Sequence, residues 1–258
     1  MIRELENMTW LEVEAAAKQT DTVLIPIGAC EPQGAHLPLG TDTIAAKYAA
    51  EKVAEKVNAV IAPTLPIGYS QWFKGFPGLM SLRRETLTEV LRQYCRSLAE
   101  SGFTRQFFFS PHFANNDVIT EVGIELLDEG VKIAWINLWW AANAVIGGKE
   151  IAGEFKEPMF KHAGEVMTSI MMVIAPEMVK MDTAVAEAPK TIVPESKWSG
   201  IFDVNHKGFN YCVPRYSSED SKSNAYGDPM AATPEKGQKI IDGWVENITS
   251  FIENFQKY

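Results

Sequence analysis

One passage near the N-terminus constrains the fold of this chain more than any other: a short apolar run that ends in a loop rich in glycine and proline. Residues 22–27 (TVLIPI) are rich in β-branched side chains and too few for a helix, which predicts a buried strand. Helical spacing resumes over residues 43–57. In α/β folds, the loop that joins such a strand to the following helix is where chemistry is placed. This loop carries Glu31, His36 and Asp42.

The rest of the chain repeats the alternation of strand and helix, which predicts a parallel sheet with helices on both faces. The length of 258 residues suits one large α/β domain as well as two small ones. Residues 147–161 are predicted as loop, and residues 176–226 as a long excursion with at most short elements. The predicted strands are residues 22–27, 59–62, 107–109 and 131–138, and the predicted helices are residues 8–18, 43–57, 85–100, 117–128, 162–174 and 234–255.

Composition argues against several classes of partner and location. The net charge is −9 and no cluster of Lys or Arg occurs, so we expect no nucleic-acid partner. No apolar run approaches the roughly 18 residues of a membrane span, and the first residues lack the pattern of a signal peptide. The three cysteines match neither a disulfide framework nor a zinc knuckle. We therefore expect a cytoplasmic protein that acts on a small molecule.

A second histidine, His112, follows the predicted strand 107–109 much as His36 follows the first. In a parallel sheet, the loops after these two strands lie at the same edge, where ligands usually bind. Carboxylate and imidazole together suit a divalent transition metal such as Zn or Mn. The alternative interpretation is ordinary loop polarity, with a histidine that is packed or solvated rather than a ligand.

Five motifs, in order along the whole chain, resemble those of the creatininase (creatinine amidohydrolase) family. The resemblance implies a three-layer α/β/α sandwich with a mostly parallel central sheet, formed by one domain over residues 1–258. It also implies a homohexamer and a two-metal site that activates water against a C–N amide bond. The motifs are Gly28-x-x-Glu31-x-x-Gly34-x-His36-Leu37-Pro38-Leu39-Gly40-Thr41-Asp42, Gly75-Phe76-Pro77-Gly78 with Ser81-Leu82, His112 with Asn115, His162-Ala163-Gly164-Glu165 with Thr168-Ser169, and Gly227-Asp228-Pro229 with the following Ala232-Thr233-Pro234-Glu235-Lys236-Gly237.

Carried over by position, the resemblance makes Glu31, Asp42 and His112 the ligands of one metal ion. The ligands of the second ion have changed: Gln33 stands where the family has a histidine, and Ala114 and Met167 stand where relatives have an acidic residue. An amide oxygen and a thioether are poor ligands for Zn or Mn and supply no negative charge. We therefore predict one divalent metal ion per chain, Zn or Mn. Whether His36 or Glu165 serves as a replacement ligand stays open.

The resemblance also places His162 at the catalytic site, where its ordinary pKa near 6.5 suits a proton shuttle. Glu165 follows three residues later and is either a second catalytic group or a carboxylate that favours the helix dipole. The predicted substrate-binding residues are Gln33, His36, Trp72 and Trp139.

Together these patterns predict a metal-dependent hydrolase of a small polar cyclic compound, either a cyclic amide or a keto-sugar or keto-cyclitol ring. The alternative is a non-hydrolytic descendant, such as a metal-dependent isomerase or a metabolite-binding protein.

Overall fold

A four-stranded parallel sheet forms the centre of the molecule. The computed structural model describes residues 2–148, 151 and 153–258. The strands lie in the order β2-β1-β3-β4, so the first and third strands along the chain are neighbours. All five residues of the first strand are buried, which explains why its sequence is continuously apolar rather than alternating. The strands are β1 (Thr22–Pro26), β2 (Val60–Ile61), β3 (Arg105–Phe109) and β4 (Lys132–Ile136).

Helices cover both faces of this sheet. Leu24 and Phe107 point to one face, which packs on α2, α5, α6 and α8. Val23 and Phe108 point to the other face, which packs on α1, α3 and α4. The three-layer α/β/α prediction is therefore confirmed. The helices are α1 (Trp10–Ala17), α2 (Thr41–Ala54), α3 (Arg84–Glu100), α4 (Phe113–Glu125), α5 (Leu138–Ile146), α6 (Glu165–Ile174), α7 (Ser217–Asp220) and α8 (Pro234–Phe255).

A small antiparallel sheet lies within the long excursion that separates α6 from α8. Its strands are β5 (Lys197–Trp198), β6 (Asp203–His206) and β7 (Phe209–Cys212), in that order. Among the residues described, no helix combines the length and the apolar character that crossing a bilayer requires.

The sequence-based prediction was wrong at the end of β4. The strand ends at Ile136 rather than at residue 138, and a helix that was not predicted, α5, begins at Leu138. Asn137 begins this helix because its side chain accepts a hydrogen bond from the Trp140 amide at 3.0 Å. Apolar residues surround this boundary on both sides, so periodicity does not separate strand from helix there. Part of the predicted loop, residues 149, 150 and 152, lies outside the described residues.

The largest differences in where helices begin are at α4 and α6, by four and three residues. Helix α4 begins at Phe113 rather than at residue 117, directly after His112. Helix α6 begins at Glu165 rather than at residue 162, so His162 lies in the preceding loop. His112 and His162 thus both lie N-terminal to a helix, not inside one.

Helices α6 and α8 approach each other closely enough to exclude any side chain at Gly237. A Cβ atom there would lie 2.0 Å from the Ser169 carbonyl oxygen. We expect Gly237→Ala to lower the free energy of unfolding by about 2 kcal/mol or more, because backbone atoms must move apart. Gly123→Ala in α4 is the matched control, since its Cβ would meet Ile133 at an ordinary 3.4 Å. It should raise stability by up to about 1 kcal/mol.

Urea titration of both variants measures whether the free energy of unfolding falls for Gly237→Ala and rises for Gly123→Ala. Equal stability changes in the two variants would contradict the close α6–α8 contact.

Candidate active site

Three buried side chains meet at the carboxyl edge of the central sheet. Glu31 lies in the loop after β1, and Asp42 lies in the first turn of α2, which that loop enters. His112 follows β3 and precedes the first residue of α4. Because β1 and β3 are adjacent and parallel, their following loops must come together. The exposed fraction of each residue is 3% or less.

Each of the three residues keeps one polar atom free and binds the protein with the other. Asp42 Oδ1 accepts a hydrogen bond from Trp139 Nε1 at 2.7 Å, and Glu31 Oε1 accepts one from Gln33 Nε2 at 3.1 Å. His112 Nε2 lies 2.8 Å from the Tyr69 carbonyl oxygen, which only accepts, so Nε2 is the donor. The remaining atoms, Glu31 Oε2, Asp42 Oδ2 and His112 Nδ1, face one another.

This arrangement needs a positive charge between the three free atoms. His112 Nδ1 lies 3.1 Å from Glu31 Oε2 and 3.5 Å from Asp42 Oδ2. A neutral imidazole that donates through Nε2 would direct its Nδ1 lone pair at two carboxylates. Burial alone would lower the pKa of His112, but the charges of Glu31 and Asp42 outweigh burial and raise that pKa. A proton or a metal ion satisfies the same demand.

The donor set fits a divalent metal ion. One ligand atom from each residue lies within 4.8 Å of the others, and Glu31 Oε2 has no hydrogen-bond partner among the described residues. One imidazole nitrogen and two carboxylate oxygens are ligands that Zn and Mn accept. The hydrogen bonds from Trp139 and Gln33 and to Tyr69 are the supports that orient ligands in metal sites.

A cavity of about 340 Å³ opens above the three residues. Its walls are mainly aromatic, and Trp139 and His162 are among them, as the sequence analysis expected of substrate and catalytic contacts. The other aromatic walls come from several separate segments, so no single stretch of sequence identifies them. The aromatic residues that line the cavity are Phe73, Phe113, Trp139, Trp140, Phe160, Trp198, Phe202 and Tyr226.

His162 is held on the cavity wall by the loop that precedes α6. Its Nε2 lies 3.0 Å from the Pro32 carbonyl oxygen and 2.8 Å from Asn224 Oδ1. Phe73 stacks on its ring at 5.0 Å between ring centres. Ala163 adopts φ 52°, a left-handed conformation that alanine rarely takes. The backbone is thus strained next to a candidate functional residue.

Three of the four residues predicted to bind substrate do not line the cavity. Gln33 supports Glu31, as described above. Trp72 stacks on His112 with 5.4 Å between ring centres and an angle of 7° between the rings. His36 Nε2 lies 2.8 Å from Thr168 Oγ1, and burial, with a smaller effect from His162, lowers the pKa of His36 to about 4.

Glu165 is buried at the first turn of α6 and does not line the cavity. It accepts a hydrogen bond from the Glu157 amide at 2.8 Å and pairs with Lys236. Glu157 in turn accepts one from the Glu165 amide at 2.9 Å. These contacts suit the structural alternative, in which Glu165 stabilises the start of a helix.

Asn224, which the sequence analysis did not single out, lies in a turn that a carboxylate organises. Glu187 accepts hydrogen bonds from the Lys222 and Ser223 amides, both at 2.8 Å, and from the Ser221 and Ser223 hydroxyls. Burial would raise the pKa of Glu187, but these donors outweigh burial and lower it to about 2. No sequence pattern indicated this turn, because its carboxylate comes from a residue more than thirty positions earlier.

Comparison with known proteins gives a consistent relationship over nearly the whole chain. The creatininase family model, described as creatinine amidohydrolase, matches residues 6–252. The chain is 28% identical over 261 residues to the creatinine amidohydrolase of Pseudomonas putida, covering 95% of this chain and 94% of that protein. It is 29% identical over 195 residues to the 3-dehydro-scyllo-inosose hydrolase of Thermotoga maritima, covering 74% of this chain and 62% of that protein.

Solved structures agree with this relationship. A structure described as creatininase Mn matches with a TM-score of 0.81 at 25% identity and covers 98% of each chain. A mutant creatininase of the Zn-Zn type matches with a TM-score of 0.80 at 26% identity and also covers 98% of each chain.

The hydrogen bond from Trp139 to Asp42 can be tested with a matched pair of tryptophans. Trp139→Phe leaves a buried carboxylate oxygen without its donor, so we expect it to cost about 1–3 kcal/mol of stability and to weaken metal binding about 10- to 100-fold. Trp244→Phe is the control, because Trp244 is also buried but its Nε1 has no partner among the described residues. Metal titration and thermal unfolding measure both effects.

The Asn224 turn gives a prediction about pH. The lowered pKa of Glu187 means that its stabilising effect is complete above the unfolded value of about 4.5 and is lost as the pH falls toward about 2. Glu187→Gln should therefore be less stable than the natural protein at pH 6, with the difference shrinking at pH 3. Glu246→Gln, at an exposed position of α8, is the control. A difference between Glu187→Gln and the natural protein that is equal at both pH values would contradict this account.

Proposed function

Because the chain belongs to the creatininase family, we propose that it is a metal-dependent hydrolase of a small polar cyclic compound. We propose that Glu31, Asp42 and His112 hold one divalent ion, Zn or Mn. The observation that carries the proposal is the convergence of one free ligand atom from each of these residues, while every other polar atom of their side chains is hydrogen-bonded.

The side chains next to this site favour one ion rather than two. Gln33 stands where the family has a ligand histidine, and it donates its amide N–H group to Glu31 Oε1. The amide nitrogen has no lone pair to offer a metal ion. Met167 Sδ accepts a hydrogen bond from the Ala163 amide at 3.1 Å. A second cation would therefore have little beyond a shared carboxylate to bind it.

The proposed mechanism divides the work between the ion and the protein. The ion that Glu31, Asp42 and His112 would hold would supply a Lewis acid, able to polarise a carbonyl group and to lower the pKa of a water molecule to about 7. His162 moves the proton between the attacking water and the leaving atom of the opened ring. Gln33, Trp72 and Trp139 hold the ligands in place, and the aromatic walls exclude water from the reacting groups. We assign Glu165 the task of fixing the loop that carries His162, not a contact with substrate.

The cavity favours a compact ring over an extended or phosphorylated substrate. Aromatic walls suit a flat heterocycle and equally the C–H face of a cyclitol. Among the described lining residues, Lys161 is the single lysine or arginine, and Glu157 lies 3.4 Å from its ammonium group. The two relatives compared above act, by their names, on creatinine and on a keto-inositol, which are both small rings. We therefore propose a cyclic amide or a keto-cyclitol as the substrate.

The family relationship also leads us to propose a homohexamer that works in the cytoplasm as a single-domain chain. Light scattering coupled to size-exclusion chromatography tests the assembly.

Metal analysis and a substrate panel test the proposed function. We expect one tightly bound ion per chain, and hydrolysis of at least one compound in a panel of lactams and keto-cyclitols. His112→Ala should lose the ion and reduce turnover to background, because two carboxylates alone bind Zn or Mn weakly. His206→Ala, outside the cavity lining, should keep both ion and activity.

Two ions per chain would contradict the single-ion site. A chain that binds no metal under metal-replete conditions would contradict the proposal that the protein is a metal-dependent enzyme. Metal-dependent binding or isomerisation of a panel compound without hydrolysis would favour the non-hydrolytic alternative.

A further inference from the structure

We propose that Asn224 is a positioning residue that, together with the Pro32 carbonyl group, fixes His162 in the tautomer protonated at Nε2, so that Nδ1 is the atom that takes the proton. This inference rests on the role of His162 in the proposed function. It adds which ring nitrogen reacts, and which residue outside the family motifs determines that choice.

The tautomer follows from the partners of Nε2. A backbone carbonyl oxygen has no proton to give, so the nitrogen 3.0 Å from the Pro32 oxygen must carry one. The Asn224 amide, 2.8 Å from the same nitrogen, must then present its oxygen rather than its NH₂ group. Both contacts thus require a proton on Nε2 of a neutral His162, which leaves a lone pair on Nδ1.

The Asn224 amide is fixed in this orientation. The residue is fully buried, and its Nδ2 donates to Ser217 Oγ at 3.1 Å. Its backbone has φ 60°, a left-handed conformation that asparagine tolerates better than other residues with a side chain. The turn that imposes this conformation is held by Glu187, and the Tyr226 amide donates to the His162 carbonyl oxygen at 2.9 Å. The amide has no freedom to turn away from the imidazole.

The imidazole ring is restricted as well. Phe73 stacks on one face, and the Tyr226 ring meets it edge-on at 6.0 Å and 74°. Among the described residues Nδ1 has no hydrogen-bond partner, and the ring lines the cavity. The titratable groups that share the cavity with it are Glu31, Asp42, His112, Lys161, Asp203 and Tyr226, and His36 is close enough to interact with its charge.

This geometry allows Nδ1 to accept a proton and later to return it, so the imidazole ring ends the reaction unchanged. Nδ1 accepts a proton from the attacking water, as the O–H bond breaks and the N–H bond forms, while Nε2 keeps its own proton. The imidazolium then returns the proton from Nδ1 to the leaving atom of the opened ring. The Pro32 and Asn224 carbonyl oxygens accept from Nε2–H throughout this transfer.

Imidazole ¹⁵N spectra of the zinc-loaded protein test this inference without reference to turnover. The chain has four histidines, and His162→Asn assigns the relevant signals. We expect a protonated Nε2 and an unprotonated Nδ1 at pH 8. Asn224→Gly removes the amide but tolerates φ 60°, and it should populate the other tautomer about 5- to 10-fold more, the effect of one neutral hydrogen bond. Lys207→Gly, at φ 50° in an exposed turn, is the matched control.

Kinetics on any active compound of the panel provide the second readout. Asn224→Gly should lower kcat about 5- to 10-fold with KM changed less than about 2-fold. Asn224→Asp places a carboxylate against Nε2, which raises the pKa of His162 and moves the acidic limb of the pH profile to higher pH.

A protonated Nδ1 in the natural protein would overturn the inference, and so would an Asn224→Gly variant that matches Lys207→Gly in both tautomer and kcat. If Asn224→Gly fails to fold, the spectrum of the natural protein still decides. A protein with the expected tautomer that hydrolyses nothing would refute the proposed function and leave the tautomer assignment standing.

Discussion

Two buried carboxylates that face one imidazole nitrogen are the interaction on which the rest of this structure depends. Glu31 and Asp42 are almost inaccessible to solvent, and burying such charges without compensation costs several kcal/mol each. The surrounding segments compensate by giving each ligand one hydrogen bond. Those segments are the loop after β1, the loop after β2 and the start of α5. The fold thus organises around a place where positive charge is required.

The central sheet and the edge at which the candidate residues meet could be predicted from strong local signals, whereas the choice of Glu31, Asp42 and His112 as ligands came from the resemblance to the family motifs. Residues 22–27 are short, apolar and β-branched, and the loop that follows them has to run along the carboxyl edge of the sheet. The strand before His112 pairs directly with the first strand, so the loop that carries Glu31 lies next to His112.

Most of the aromatic walls and the support of His162 could not be predicted, because they depend on long-range contacts that periodicity does not report. Phe202 and Tyr226 come from an excursion with little regular structure, and helix α5 lies in a run where strand and helix share the same apolar residues. Asn224 supports His162 through its side-chain amide and its left-handed backbone conformation. Both depend on the turn that the distant Glu187 stabilises, which the local sequence does not indicate. The cavity walls and the support of His162 therefore come from residues that no local sequence pattern identifies.

The reciprocal hydrogen bonds between Glu157 and Glu165 have a consequence for how selectivity can diverge. Gly164 and Gly227 pack so closely on the Glu157 carboxylate that a Cβ atom at either position would lie within 2.5 Å of it. Residues 158–161 therefore form a short segment between two residues held by close contacts, Glu157 and His162. Three of these four residues line the cavity. Exchanging side chains in that segment reshapes the entrance for a new ligand while the reacting groups keep their places.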